Sequence, residues 1–233
     1  AEVVSRFRRA FTLLRSGRPS PVLLEIPADL AAEDFGPGPL DYHPVPRMRS
    51  SADPQAIRDA IQLLVAAERP MIWAGQGVLY SGASLELTEL AEQLAAPVMT
   101  TLMGKSAFNE RHPLSLGNGG HSCTSMVTDY LEKCDAVLAV GCSLTRTVFA
   151  PIIPANRRIV HVTVDSRDVN KDYVADVAAL GDVKLVLQQM LEQLQSVDRG
   201  GSTGNLSATR EKVESHIRSV RKTWDARWRS KLK

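Results

Sequence analysis

Only three of the 233 residues are cysteine, Cys123, Cys134 and Cys142, and no two form a CxxC pair. An odd number at these spacings excludes a disulfide framework and a cysteine-rich zinc site. A reducing, cytoplasmic setting is therefore expected. No apolar run approaches the roughly 18 residues that a membrane span needs, so no membrane partner is expected. Residues 1–18 lack the leader pattern of a secreted protein; they are arginine-rich and amphipathic throughout. None of the five histidines, His43, His112, His121, His161 and His216, stands at metal-ligand spacing from another His, Cys or carboxylate. Ser84 and Ser143 lack the GxSxG context of a hydrolase elbow. No nucleophile–base pair and no metal set can be read from the chain.

What is present is the patterning of a globular α/β protein. Hydrophobic residues make up 44% and charged residues 23%, enough apolar material for one sizeable core. The net charge of +2 points to no particular partner, but it is unevenly spread. Residues 205–233 carry nine Lys/Arg and three Asp/Glu, a net +6, which leaves −4 for the rest. A regular apolar stripe through that basic segment (Val213, Ile217, Val220, Trp224, Trp228) argues for packing on a protein partner and against nucleic acid.

The chain divides by composition. Val3, Phe7, Ala10, Phe11 and Leu14 recur at helical spacing, Gly17 ends that helix, and residues 21–27 read as a buried strand. Residues 34–52, with four prolines between Pro37 and Pro46, read as a stiff linker. From residue 53 to 196 helices and apolar strands alternate. Asp53-Pro54 opens a helix as N-cap and first helical residue. Strands are expected at 71–74, 98–101, 136–140, 159–164 and 176–180, and helices at 87–95, 123–133 and 182–194. Continuous apolar strands between helices predict a three-layer, α/β/α Rossmann-like parallel sheet of about six strands. Residues 198–209 read as a flexible linker before the basic helix.

In such a sheet, ligands bind beyond the carboxyl ends of the strands. Gly75-Gln76-Gly77, directly after the first core strand, is the most suggestive of these ends. Glycines there let a phosphate approach backbone N–H groups at a helix N-terminus. The dinucleotide fingerprint is incomplete: Tyr80 stands at the third glycine position, and no acid follows about 20 residues later. A plain strand-to-helix turn therefore remains open beside nucleotide binding. A stand-alone NAD- or nucleotide-binding module is the alternative reading of the whole chain. Asp165 is placed to hold a ribose; Asp182 is placed to cap the following helix.

Several stretches resemble one known family. Residues 16–29, SGRPSPVLLEIPAD, resemble the segment that closes the pyrimidine-binding domain of acetolactate-synthase-like, thiamine-diphosphate-dependent enzymes. Residues 95–105, AAPVMTTLMGK, and 112–117, HPLSLG, resemble stretches of their middle domain, as do Gly141-Cys142-Ser143-Leu144-Thr145, residues 161–165 and Gly181-Asp182. The motifs keep the family's order across residues 1 to about 195. The resemblance implies that residues 1–33 end the pyrimidine-binding domain, 34–52 link it to a central Rossmann-like domain at 53–196, and 197–233 lead toward a diphosphate-binding domain. It implies a parent enzyme that decarboxylates or ligates 2-keto acids as a homodimer or homotetramer. Thiamine diphosphate and Mg²⁺ would be held by residues outside this chain, because no GDG motif with a following Asn occurs in it. The flanking domains of the same polypeptide would be its partners, and the chain alone would be inactive. By the same resemblance, the central cleft holds FAD, ADP or nothing, since the family's middle domain varies in this respect. Its candidate residues are Gly75, Gln76, Gly77, Thr101, Leu102, Met103, Ser143, Thr145, Asp165 and Asp182. Ser143 departs from the family, since acetolactate synthases carry an arginine there. A guanidinium able to meet a phosphate or flavin is thereby missing.

Overall fold

The structure is a computed structural model that describes residues 2–34, 43, 46–197, 203–229 and 231. It separates into two compact units, Ala1–Arg49 and Ser50–Lys233.

In the first unit, helix α1 spans Glu2–Leu14 and a four-residue helix α2 spans Ala28–Ala31. Helix α1 stops at Leu14, and Gly17, at φ +60°, follows the closing turn. The strand expected at 21–27 is absent. These residues hydrogen-bond into no ladder, and Leu23 is 84% exposed. Pro21 and Pro27 bracket the run and cannot donate, and an extended segment becomes a strand only with a neighbour to pair with. Most of the proline-rich stretch, residues 35–42, 44 and 45, lies outside the described residues.

The second unit is built on one sheet. Its strands are β1 (Pro70–Ala74), β2 (Val98–Thr100), β3 (Ser115–Asn118), β4 (Ala136–Val140), β5 (Arg158–Thr163) and β6 (Val177–Leu180). All five pairings are parallel and the order is β3-β2-β1-β4-β5-β6. This is the doubly wound order, and the connection reverses direction between β1 and β4. The alternation of side chains sorts the core into two layers. Ile72, Ala74, Val98, Leu138, Val140 and Val160 face helices α3 (Pro54–Val65), α5 (Ser84–Leu94) and α7 (Val183–Ser196). Met71, Trp73, Met99, Val137, Ala139 and Ile159 face α6 (Ser125–Lys133) and α8 (Thr203–Arg229). The expected three-layer α/β/α architecture is what folds.

Local chemistry fixes the helix starts. Asp53 Oδ1 accepts the Gln55 N–H at 2.7 Å with Pro54 as first residue of α3, and Asp182 Oδ1 accepts the Lys184 N–H at 3.1 Å at the start of α7. The helix expected at 123–133 begins at Ser125 because Thr124 caps it.

One strand, β3, is unforeseen, and two expectations need correction. Strand β3 carries no apolar run of its own. Its edge position is held by pairing to β2 and by Arg221 Nη2, which donates to Ser115 O at 2.6 Å. The linker expected at 198–209 is helical from Thr203, while 198–202 lie outside the described residues. The apolar stripe of the basic segment packs on its own domain: Ile217 is 2% exposed within the second core layer, with Val213, Val220 and Trp224 against it. His216 Nε2 lies 2.6 Å from Asp129 Oδ2 on α6, and Arg210 bridges to Glu92 on α5 at 2.8 Å. Trp228, the last residue of the stripe, stays 44% exposed. Among the described residues, no helix is long and apolar enough to cross a membrane.

Candidate functional site

The sheet brings every candidate residue to its carboxyl edge, but it spends them differently. The Gly75-Gln76-Gly77 turn leaves β1 and enters α4, a helix of six residues (Gln76–Ser81). The Gly75 N–H donates to Val140 O and the Gly77 N–H to Gly141 O, both at 2.8 Å. These are the donors a dinucleotide diphosphate would need, and the last residue of β4 and the glycine after it have taken them.

The missing side chains serve the same junction. A Cβ on Gly75 would lie 2.3 Å from Gly141 O, and one on Gly77 would lie 2.7 Å from Gly141 Cα. Gly141 sits at φ +61°, and a Cβ there would lie 2.8 Å from Gly77 Cα. The three glycines close a backbone-to-backbone seam at the switch point between β1 and β4. The residues present do not fit the diphosphate of FAD or NAD at this turn.

Next to the seam, the loop after β2 folds over Thr101. The Thr101 N–H donates to Ala74 O at 2.8 Å, and its Oγ1 accepts the Gly104 N–H at 2.9 Å. Asn118 Nδ2 donates to Thr101 O at 2.9 Å, tying in the end of β3. Leu102 and Met103, at the tip of this loop, are 61% and 65% exposed. Val148, Phe149 and Ile152, in the connection from β4 to β5, are exposed too, so this end of the edge has an apolar rim.

The two candidate aspartates are engaged. Asp165 caps a one-turn 3₁₀ helix at Ser166–Asp168 and meets the Arg167 guanidinium through both carboxylate oxygens, at 2.7 to 3.2 Å. Asp182 is buried, caps α7, and its N–H donates to Ser50 O at 2.8 Å. A ribose at Asp165 would have to compete with Arg167.

Ser143 and Thr145 are half-buried. Their hydroxyl oxygens are 3.0 Å apart, and Lys171 Nζ donates to Thr145 Oγ1 at 3.1 Å. Reading along the sequence missed Lys171: it lies 26 residues beyond Thr145, in the connection from β5 to β6, and no local pattern links the two.

A buried polar group lies behind this loop. His161 is 1% exposed, and its Nε2 is 2.8 Å from Cys142 O. Burial holds this imidazole below the ordinary histidine range, so it is neutral at pH 7. Thr163 Oγ1 lies 3.5 Å from the buried Asp168 carboxylate. Burial pushes the Cys142 thiol up to about 12, and its Sγ lies 3.9 Å from Trp73 O. A thiol so rarely ionised is a poor nucleophile, and the imidazole meets the cysteine's carbonyl, not its sulfur. The Cys142–His161–Asp168 grouping fixes the loop and offers no triad. Among the described residues, no three His, Cys, Asp or Glu side chains gather as a metal set.

Comparison with known proteins agrees with this architecture. The family model described as "Thiamine pyrophosphate enzyme, central domain" matches residues 57–190. A protein of Methanococcus aeolicus described as a probable acetolactate synthase large subunit is 34% identical over 224 residues, covering 92% of this chain and 37% of the relative. A protein of the same description from Methanocaldococcus jannaschii is 36% identical over 207 residues, covering 84% of this chain and 34% of the relative. The chain thus spans about a third of the length of these curated relatives. Among solved structures, benzoylformate decarboxylase from Polynucleobacter necessarius superposes with a TM-score of 0.67 at 25% identity, over 81% of this chain and 35% of that one.

Proposed function

Because the chain belongs to the thiamine-pyrophosphate enzyme family and carries that family's central domain, we propose that it frames the active site of a thiamine-diphosphate-dependent 2-keto-acid carboligase or decarboxylase. The observation that carries this reading is the match over residues 57–190, on a doubly wound parallel sheet. The central domain supplies rigidity and spacing. Thiamine diphosphate, when bound, supplies the electron sink for 2-keto-acid chemistry. Its ligands and those of Mg²⁺ belong to flanking domains of the parent polypeptide, of which residues 1–33 form the end of one and 197–233 the approach to another. The parent works as a homodimer or homotetramer in the cytoplasm, and this chain alone is inactive.

A stand-alone NAD-binding module is the weaker reading. The N–H groups of Gly75 and Gly77 are already bonded to Val140 O and Gly141 O, and Tyr80 stands where a third glycine would be.

A calorimetric titration of the 233-residue chain with thiamine diphosphate and Mg²⁺ tests the division of labour. No binding at micromolar concentration is expected. Micromolar affinity would place coenzyme ligands within this chain and end the framing-only reading.

A further inference from the structure

We infer that α8 is clasped to the central domain at two charged points, Arg210–Glu92 and His216–Asp129, and that the second is a pH switch: the grip on this helix tightens as pH falls through the ordinary histidine range. The clasp lies outside the strand-end cleft and does not rest on the chemistry proposed for the parent enzyme.

Apolar contact holds only part of this helix. It is 27 residues long, yet among the described residues Ile217 is its one buried side chain. Val213, Val220 and Trp224 pack against the second core layer while only partly buried. Charge supplies the rest. Residues 205–233 carry a net +6 and the remainder of the chain −4, so docking joins opposite charges.

The two points differ chemically. Arg210 Nη2 meets Glu92 Oε1 on α5 at 2.8 Å, and an arginine keeps its charge at any pH of interest. His112 Nε2 lies 3.2 Å from the same oxygen, but its Nδ1 accepts the Leu114 N–H at 3.2 Å. A proton on Nδ1 would break that backbone bond, so the Glu92 point rests on Arg210. At the other point, His216 Nε2 lies 2.6 Å from Asp129 Oδ2, and Lys133 Nζ donates to Asp129 Oδ1. The His216 ring stands edge-on to Tyr130 of α6, with centroids 5.8 Å apart, and is exposed enough to exchange protons with solvent.

A neutral imidazole gives Asp129 an ordinary hydrogen bond; an imidazolium gives a charge-assisted one, roughly twice as strong. The other charges facing His216 are Lys133 on α6, which opposes its protonation, and Glu211 with Lys212 one turn earlier on α8, which offset each other. Burial raises the Asp129 carboxyl, but the hydrogen bonds from Lys133 and His216 outweigh it and hold the group below the ordinary carboxylate range. The counter-charge therefore persists while the histidine titrates. The sign follows. A histidine paired in the docked state adds its stabilisation at low pH and loses it as pH rises. The paired aspartate adds its own above the ordinary carboxylate range and loses it as pH falls. The grip is greatest between the two ranges.

Hydrogen exchange of the 233-residue chain at low salt, at about pH 6 and about pH 8 on either side of the ordinary histidine range, tests this. Rates are corrected for intrinsic exchange at each pH. Protection of residues 210–224 should be about two- to fivefold greater at the lower pH, the scale of one partly exposed ion pair. Protection of β4 should change less. His216→Gln keeps an N–H donor without the charge and should abolish the α8 ratio, with circular dichroism unchanged; Asp129→Asn, which removes the counter-charge, should do the same. Glu92→Gln should lower α8 protection at both pH values and leave the ratio in place. Equal α8 protection at both pH values, a ratio matched by β4, or a ratio that survives His216→Gln would overturn the switch. Unchanged α8 protection in Glu92→Gln would overturn the two-point clasp.

Discussion

Gly77→Ala should destabilise the central domain by about 3 kcal/mol, the upper end of the usual range for forcing an extra methyl into a packed site. The expected drop in thermal midpoint is on the order of 10 °C for a domain of this size. The new methyl would lie 2.7 Å from Gly141 Cα and 2.9 Å from Gly141 O, closer than real side chains approach backbone. Neither wall can retreat. Gly77 is anchored by Val78, which is fully buried, and Gly141 continues β4, whose neighbours are the central strands β1 and β5. Gly82→Ala is the control: Gly82 also sits at positive φ, +65°, but nothing lies within 4 Å of its would-be Cβ. It should cost only about 1 kcal/mol, the conformational part alone. Urea denaturation of both variants separates the seam from mere backbone preference. Equal losses would mean that the seam carries no packing constraint.

Ile217→Ala should cost about 2–4 kcal/mol, the usual range for truncating a large aliphatic side chain in a core. Ile217 is 2% exposed and packs among the residues of the second core layer, which includes Val127, Tyr130 and Leu131 of α6. Trp228, on the same helical stripe but 44% exposed, should lose far less on truncation to alanine. The comparison decides whether α8 is an integral wall of the domain. If both variants unfold at the wild-type urea concentration, α8 is not part of the cooperative unit. A large loss at Ile217 alone means that the basic segment is built into the fold.

How legible these features were in the sequence differs from element to element. The central strands were plain because Ala136–Val140 and Arg158–Thr163 are apolar runs between polar boundaries, buried on both faces. Strand β3 was invisible because Ser-Leu-Gly-Asn has no strand pattern, and only pairing to β2 and the Arg221 contact make it one. Residues 21–27 erred the other way, an apolar run without a partner strand. The stripe on α8 was legible as a buried face, but its destination was not, since periodicity records that a face is covered and not by what.

The candidate site shows the same division. That Gly75, Thr101, Ser143, Asp165 and Asp182 would share one edge followed from their places at strand ends. That Gly75 and Gly77 would bond to Val140 O and Gly141 O depended on β1 and β4 being neighbours, a fact of topology that the glycine spacing does not contain. Lys171 reached Thr145 through a tertiary contact between two loops, with no mark in either loop. The Arg167 partner of Asp165, two residues away, could have been anticipated from charge pairing alone.

The central claim is best tested on the complete parent polypeptide, purified free of coenzyme and supplied with 2-keto acids such as pyruvate. Substrate consumption should appear only when thiamine diphosphate and Mg²⁺ are added back, and the 233-residue chain should show none under the same conditions. Turnover by the parent without added thiamine diphosphate, or turnover by this chain alone, would contradict the account.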